Sequence, residues 1–297
     1  MTLAGFVRQC VERLSALYPE PEARAVAFRL LEHFTEIPSY KYISDPDMEL
    51  PGEDASSGSA IPPSQSASGI QSALDALATG RPLQYVLGFA EFCGHRFKVG
   101  EGCLIPRPET EELVSRIIDD LSGMEIGEEP FNILDLCTGS GCIAWSLAAE
   151  FPEAMVYGCD LSDAALRYAC RQRVRLRGAK PIFFSADLLA EPPAGLPKFD
   201  VIVSNPPYIC EGERTAMRPN VLDFEPAEAL FVPDDDPLKF YRAIARWADA
   251  LLRPDGHLYL EINERFGPEV AALLAVAVLC AAVSLLLMRL TQLPDVS

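Results

Sequence analysis

Asn132-Ile133-Leu134-Asp135-Leu136-Cys137-Thr138-Gly139-Ser140-Gly141 is the stretch that decides the fold. Its first five residues form a short apolar run typical of a buried strand, and a helix is predicted to follow through Ala149. The glycine-rich turn between them brings backbone N–H groups and a helix N-terminus against a ligand's carboxylate, phosphate or ribose. Taken alone, the segment is equally compatible with a tight strand–helix turn that binds nothing. A dinucleotide site would need a further spaced glycine after Gly141, and the sequence has none in place.

The strand–turn–helix pattern recurs along the chain. Further apolar runs occupy 155–160, 182–184, 199–204 and 256–262. Helical patterns lie between them, one capped by Ser162 and running toward Arg177, another from about Phe240 to Leu252. This alternation predicts an α/β fold with a doubly wound, mostly parallel sheet that binds ligands at the carboxyl ends of its strands.

Two acidic residues end strands of this predicted sheet. Asp160 ends the second strand, where a carboxylate can accept hydrogen bonds from both hydroxyls of a ribose. An Asp that caps the next helix is the alternative, but Ser162 is better placed for that role. Asp187 ends the third strand, where it can meet the edge of an adenine, and Leu188 beside it offers an apolar wall to the ring.

Asn205-Pro206-Pro207-Tyr208, at the end of the fourth strand, is the most specific segment. Proline has no N–H, so its backbone offers acceptors without competing donors. The side-chain oxygen of Asn205 and the carbonyl of Pro206 therefore form two acceptors that match the two hydrogens of a planar NH2 group. Holding both hydrogens orients the nitrogen lone pair toward an electrophilic methyl group, and Tyr208 is expected to stack on the acceptor's plane. A proline turn that merely ends a strand is the alternative.

The composition of the chain bears on its binding partners, its cellular location and the presence of a metal site. The 297 residues carry 25 Lys and Arg against 43 Asp and Glu, a formal charge of -18, which makes nucleic acid an unfavoured partner without excluding a local basic patch. Nine scattered cysteines without a Cys-x-x-Cys pair indicate a reducing, cytoplasmic location rather than a disulfide framework. The three histidines stand apart from any cysteine pair, so no metal site is expected. The N-terminus lacks the pattern of a signal peptide.

The chain divides by composition into four regions. We expect a helical domain over 1–80 whose polar segment 45–68 is a mobile loop, and a hairpin linker over 81–110. The domain over 111–270, which contains the predicted sheet, is expected to begin with a helix capped by Thr110. Residues 271–297 form an atypical apolar end.

Three segments together resemble the peptide chain release factor glutamine-N5 methyltransferases: Leu104–Glu111, the glycine-rich turn, and Val203–Ile209. The segments Pro82–Gly88 and Phe224–Pro226 strengthen the match, which covers roughly 81–269 well. The Asn-Pro-Pro-Tyr motif alone is shared with nucleic-acid adenine and guanine methyltransferases.

The resemblance implies an enzyme that uses S-adenosylmethionine as cofactor. Its substrate would be the glutamine of the Gly-Gly-Gln loop in class-one release factors, held in part by the N-terminal helical domain. The donor's methionine part would lie against the glycine-rich turn, its ribose against Asp160, and its adenine against Asp187 and Leu188. The cofactor-binding residues are then Cys137, Thr138, Gly139, Ser140, Gly141, Asp160, Asp187, Leu188 and Asn205, and the substrate-binding residues are Asn205, Pro206, Pro207 and Tyr208. Asn205, Pro206 and Tyr208 carry the catalytic role.

The sequence departs from the family at three places. The segment 45–68 is longer and more polar than expected of the family's N-terminal domain. Cys137 stands where the family usually has glycine. After about Glu269 the expected pair of antiparallel edge strands is replaced by Ala271–Met288, an unbroken apolar run. This run is compatible with a membrane anchor, a helix packed on the sheet, or an altered reading frame, and without the edge strands Leu258–Ile262 would be an open edge. We expect no membrane contact, but the run keeps it as an alternative.

Two other functions remain compatible with the sequence. A nucleic-acid N-methyltransferase would use the same grip on an amine, although no basic, aromatic-rich recognition segment is evident. A non-catalytic module that binds the donor is the second.

Overall fold

The computed structural model describes residues 1–51, 67–123, 130–277 and 282–288. By its internal contacts the chain forms two compact units. The first contains Met1–Gly88 with Pro219–Phe224, and the second contains Phe89–Arg218 with the described residues between Glu225 and Met288. Most of the predicted loop 45–68 lies outside the described residues. Both ends of this loop are described. At its start, the carbonyls of Pro46 and Met48 accept backbone hydrogen bonds from the first residues of the first helix. At its end, Ala67 and Ser68 belong to a helix.

The first unit is helical and has a core of its own. Its helices are α1 (Leu3–Leu14), α2 (Glu20–Thr35), α3 (Lys41–Ser44), α4 (Ala67–Ala78), α5 (Leu83–Leu87) and, further along the chain, α9 (Pro219–Phe224). In α1, Phe6, Cys10 and Leu14 recur every four residues, the spacing of one apolar helix face, and all three are fully buried. This confirms that the N-terminal periodicity marks packed core helices.

The second unit contains the sheet. It starts with an antiparallel hairpin of β1 (Phe89–Phe92) and β2 (His95–Lys98), followed by α6 (Pro108–Leu121). The sheet strands are β3 (Asn132–Leu136), β4 (Met155–Asp160), β5 (Ile182–Ser185), β6 (Phe199–Ser204), β9 (Leu252–Asn263) and β10 (Ala282–Met288), and a separate pair consists of β7 (Ile209–Cys210) and β8 (Phe231–Val232). The remaining helices are α7 (Cys142–Glu150), α8 (Asp163–Ala169), α10 (Lys239–Leu251) and α11 (Gly267–Ala277).

The sheet order is β10-β9-β6-β3-β4-β5, and all of its neighbouring strands are parallel. Alternate residues of each strand face opposite sides. On β3, Leu134 packs in the core that holds α10 and α11, whereas Ile133 packs in the core that holds α6 and α7. Because helices cover both faces, the sheet is doubly wound, as the sequence predicts.

The apolar C-terminal run is divided between two elements. Its first part belongs to α11 and its last part forms β10, which pairs in parallel with β9 from Ala282 opposite His257 to Met288 opposite Asn263. The expectation that β9 has an open edge is therefore wrong, because β10 covers it. No helix in the described ranges is both long enough and apolar enough to cross a bilayer.

Two helix boundaries differ from the prediction. The helix α6 starts at Pro108, where proline's missing N–H costs nothing because the first N–H groups of a helix have no intrahelical partner. Thr110 is therefore not the N-cap but lies inside the first turn. The helix α8 ends at Ala169 rather than near Arg177. Beyond it, Arg171 and Arg175 would be like-charged neighbours four positions apart in a helix, which disfavours its continuation.

Candidate active site

A cavity of about 540 Å³ lies at the carboxyl ends of the parallel strands. Seven of the twelve residues that the sequence assigns to the site line it: Cys137, Gly139, Asp160, Asp187, Leu188, Asn205 and Pro207. The other five, Thr138, Ser140, Gly141, Pro206 and Tyr208, are not among the lining residues. The structure also brings in residues that sequence reasoning did not single out for the site, including Leu104, Glu228 and Phe240.

The glycine-rich turn owes its shape to residues that do not line the cavity. The Asp135 carboxylate accepts hydrogen bonds from the Thr138 hydroxyl and from the Ala144 N–H. Both bonds lower the pKa of Asp135, but burial has the larger effect and raises it to about 7. At Gly141 φ is 79°, and a Cβ there would lie 3.0 Å from the Phe183 ring. A side chain at this position would be both strained and crowded, so the turn depends on glycine.

Cys137 occupies a left-handed backbone conformation with φ of 58°. Glycine adopts this region without steric cost, whereas an L side chain there costs about 1–2 kcal/mol. The left-handed backbone at position 137 therefore explains why the family usually has glycine there. Burial raises the pKa of the Cys137 thiol well above its ordinary range, so the side chain meets the cavity as a neutral thiol.

Asp160 is fixed to the turn and to the next helix at once. Its Oδ2 accepts from the Gly139 N–H at 2.8 Å, and its Oδ1 accepts from the Ser162 N–H at 2.9 Å. Ser162 is itself the N-cap of α8, since its hydroxyl accepts from the Ala165 N–H. The predicted cap is thus confirmed, and Asp160 presents its carboxylate to the cavity, where its remaining lone pairs suit ribose hydroxyls.

Asp187 and Leu188 follow β5 on the neighbouring part of the wall. The Asp187 Oδ1 accepts from the Leu189 N–H at 2.8 Å, which closes a tight turn. Leu188 is 5% exposed and packs in the core beneath α10, yet it also lines the cavity. An apolar surface beside a carboxylate suits the flat face and polar edge of a purine.

The Asn205 side chain is held by a hydrogen bond from its amide nitrogen. Nδ2 donates to the Thr110 hydroxyl at 3.0 Å, and that hydroxyl donates to Glu261 Oε2 at 2.7 Å. Because the nitrogen faces Thr110, Oδ1 is turned away from it, and no residue in the described part of the chain donates to Oδ1. The site therefore holds an oriented amide oxygen on a residue of the cavity wall.

Tyr208 supports this arrangement from behind the cavity. Its hydroxyl donates to Glu261 Oε1 at 2.9 Å, and its carbonyl accepts from the Asn263 side chain at 3.3 Å. Burial and the Glu261 carboxylate raise the pKa of Tyr208 well above its ordinary range. The tyrosine is therefore a neutral hydrogen-bond donor.

Glu261 is the central residue that the sequence analysis missed. It is fully buried on β9, where burial raises its pKa to about 7 although hydrogen bonds from Thr110 and Tyr208 lower it. Glu109 raises this pKa further and Arg107 lowers it. A carboxylate inside the apolar run Leu258–Ile262 was the available signal, because buried charges are rare unless they are hydrogen-bonded.

A second buried carboxylate joins two of the segments that carry the family resemblance. Glu225 accepts from the Ile105 N–H at 3.0 Å and from Arg107 Nη2 at 2.6 Å, with its side chain 1% exposed. It thereby fixes the path of Leu104–Arg107 into α6, the helix that carries Thr110. Such buried charge-assisted pairs give geometry as well as energy.

The described residues contain no cluster of three or more His, Cys, Asp and Glu side chains arranged to hold a metal ion.

Comparison with known proteins identifies the family. Residues 121–222 match the family model described as "Methyltransferase small domain". The family model and the parallel sheet with a cavity at the carboxyl ends of its strands are those of an S-adenosylmethionine-dependent methyltransferase, and S-adenosylmethionine is the cofactor.

Relatives named release factor glutamine methyltransferase define the family more closely. The Cereibacter sphaeroides protein is 39% identical over 99% of this chain and 95% of its own, and the Flavobacterium psychrophilum protein is 37% identical over 92% and 91%. The Bacteroides thetaiotaomicron protein is 46% identical over 65% of this chain and 67% of its own. The chain belongs to the release factor glutamine methyltransferase family.

Proposed function

We propose that this chain transfers a methyl group to the side-chain amide nitrogen of the glutamine in the Gly-Gly-Gln loop of class-one release factors, in the cytoplasm. The observation that supports the proposal most is the fixed orientation of Asn205, whose Nδ2 is held by Thr110 so that Oδ1 is left to accept. Family membership supports the same acceptor. The N-terminal helical region is assigned to holding the release factor.

The cavity residues fit the donor by their chemistry. S-adenosylmethionine supplies an electrophilic methyl group on a sulfonium sulfur. The Asp160 carboxylate is anchored by two backbone N–H groups and suits the ribose hydroxyls. Asp187 and Leu188 suit the adenine, and the turn from Cys137 to Gly141 suits the methionine part.

The acceptor chemistry follows from the two oxygens of the Asn205-Pro206 pair. An amide NH2 has two donors, and we assign one to Asn205 Oδ1 and the other to the Pro206 carbonyl. An amide nitrogen is a poor nucleophile because its lone pair is delocalised into the carbonyl. Accepting both hydrogens fixes the plane of the amide, orients the lone pair and stabilises the positive charge that develops on nitrogen.

No general base is required in this scheme. The neutral amide carries no proton that must leave before attack. The N–C bond forms as the sulfonium's S–CH3 bond breaks to leave a neutral thioether, and the nitrogen then releases its proton to solvent water. Catalysis then rests on positioning, and Thr110, Tyr208 and Glu261 contribute by holding Asn205. In this scheme Tyr208 acts as a positioning residue rather than as the stacking surface that the sequence suggested.

Mass spectrometry of the methylated product tests the proposal. The purified chain is incubated with S-adenosylmethionine and a class-one release factor, and a matched release factor carries asparagine in place of the loop glutamine. We expect one methyl group on the glutamine and none on the asparagine variant, because the shorter side chain does not reach the pair of acceptors. Equal methylation of both factors, or methylation only at other residues, would refute the assignment.

A further inference from the structure

The segment between α8 and β5 is basic in an otherwise acidic protein. From residue 164 to residue 186 there is no Asp or Glu, although the whole chain carries a formal charge of -18. Six exposed cations fall in this interval: Arg167, Arg171, Arg173, Arg175, Arg177 and Lys180. None of these six side chains makes an ion pair or a side-chain hydrogen bond within the described part of the chain. We call Arg171, Arg173, Arg175 and Arg177 the arginine row.

The residues that alternate with the arginine row attach it to the domain. The Gln172 side chain accepts from the Lys98 N–H at 2.8 Å and donates to the carbonyls of Lys98 and Ser140 at 2.9 and 3.1 Å. Val174 and Leu176 pack against the core that holds α6 and α7. Exposed and covered positions thus alternate along 171–177, which is the period of an extended chain.

The two ends of the segment are fixed at opposite ends of α7. Gln172 binds Ser140, just before that helix, and Gly178 lies so close to Pro152, just after it, that a Cβ would overlap the proline carbonyl. The nine-residue helix is about 14 Å long at 1.5 Å per residue. Six residue steps over this length give roughly 2.3 Å per step, which is longer than the 1.5 Å rise of a helix but shorter than a fully extended strand. Neighbouring members of the row, two steps apart, are therefore separated by roughly 5 Å.

We propose that the arginine row binds the phosphodiester backbone of a nucleic-acid strand. Guanidinium groups bind phosphate oxygens through paired hydrogen bonds, and they remain charged at any physiological pH. A row with a regular spacing suits a polymer with one charge per repeating unit better than the irregularly placed carboxylates of a folded protein. The anchoring contacts fix this spacing before binding, which reduces the entropy lost on association.

The expectation from net charge was that nucleic acid is an unfavoured partner, and the proposed role of the arginine row is its local exception. The row is a docking surface separate from the proposed clamp at Asn205, and it does not depend on which acceptor is methylated. The net charge of the chain does not reveal the arginine row, since a total of -18 says nothing about the charge of one segment.

Fluorescence anisotropy with labelled RNA and DNA oligomers of one sequence tests the proposal. The row variant carries Arg171→Gln, Arg173→Gln, Arg175→Gln and Arg177→Gln. A matched control neutralises four exposed arginines elsewhere: Arg8, Arg116, Arg242 and Arg246. Both variants change the net charge equally, and calorimetric titration with S-adenosylmethionine verifies that both remain folded.

We expect wild type to bind both oligomers with a slope of log affinity against log salt of about −3, as four phosphate contacts on a single strand predict. The row variant should lose at least about tenfold in affinity at roughly 50 mM salt and most of this slope, while the control loses far less. Binding to RNA but not DNA would assign the partner to RNA within the same proposal. The proposal is overturned by absence of salt-dependent binding, by equal loss in the control, or by polyglutamate that binds as tightly as the oligomers. The last result would indicate an acidic protein partner instead.

Discussion

The amide nitrogen of Asn205 donates to the Thr110 hydroxyl at 3.0 Å, although the two residues are separated by 95 positions in sequence. This bond joins the Asn-Pro-Pro-Tyr segment to the Ile-Pro-Arg-Pro-Glu-Thr segment. Glu261 fixes its direction, since its Oε2 accepts from the Thr110 hydroxyl and leaves the Thr110 oxygen free to accept from Asn205. The two sequence motifs therefore belong to one hydrogen-bonded arrangement, which orients the Asn205 amide oxygen toward the methyl-accepting amide of the substrate.

Replacing Asn205 by alanine tests the role of this oxygen. We expect Asn205→Ala to lower kcat by about 100-fold or more, the usual effect of removing one oriented group at a developing charge. The Kd for S-adenosylmethionine should change by less than about threefold, because Asp160 and the glycine-rich turn remain. Transfer kinetics and calorimetry measure the two quantities. Loss of donor binding in proportion to activity would show instead that Asn205 is chiefly a donor ligand.

Thr110 is expected to act through Asn205 and not on the substrate itself. Thr110→Val keeps the shape of the side chain but removes the hydroxyl, which leaves the Asn205 amide free to rotate. We expect kcat to fall by about tenfold or more, with the Kd for the donor unchanged. Thr110→Ser restores the hydroxyl and should recover most of the activity. A serine variant as impaired as the valine variant, at equal stability, would contradict this role.

The raised pKa of Glu261 predicts that the stability difference between wild type and Glu261→Gln changes with pH. Its pKa is raised from 4.5 to about 7 by burial, so the folded protein binds its proton more tightly than the unfolded chain does. The resulting stabilisation is complete below about pH 4.5 and is lost as the pH rises through about 7. Relative to Glu261→Gln, wild type should thus lose about 3 kcal/mol of unfolding free energy between pH 5 and pH 8.

Urea denaturation of both proteins at the two pH values measures this difference. Asp135, whose pKa is also raised to about 7, is present in both proteins and cancels in the comparison. A difference between wild type and variant that stays constant, or that grows in favour of wild type with pH, would show that Glu261 is ionised throughout.

The left-handed conformation of Cys137 predicts an unusual order of stability. Cys137→Ala and Cys137→Gly both remove the sulfur, but only glycine also removes the Cβ that is strained at φ of 58°. We expect the glycine variant to be more stable than the alanine variant by about 1 kcal/mol, as measured by denaturant titration. At most positions alanine is the more stable of the two, so an alanine variant as stable as glycine would argue against strain at this residue.

The sequence predicts β3, β4, β5, β6 and β9 because each is an apolar run between turns, but it does not predict β10, which lies inside one unbroken apolar run. It also predicts the residues that follow strands, such as Asp160 and Asn205, since the carboxyl ends of parallel strands meet at one edge. Thr110 and Glu261 were harder to interpret, because their roles depend on a contact across 151 positions that no local pattern records. The arginine row was read as the end of a helix, because the alternation of Gln172, Val174 and Leu176 becomes visible only when their packing is known.

The most direct test of the central assignment is a methyl-transfer assay with radiolabelled donor that offers release factor, DNA and ribosomal RNA side by side. The arrangement of Asn205 with Thr110 and Glu261, together with family membership, predicts label in the release factor. The Asn205→Ala variant should transfer label at least about 100-fold more slowly, and the row variant should label the isolated release factor as wild type does. Label that enters only DNA or ribosomal RNA would contradict the account.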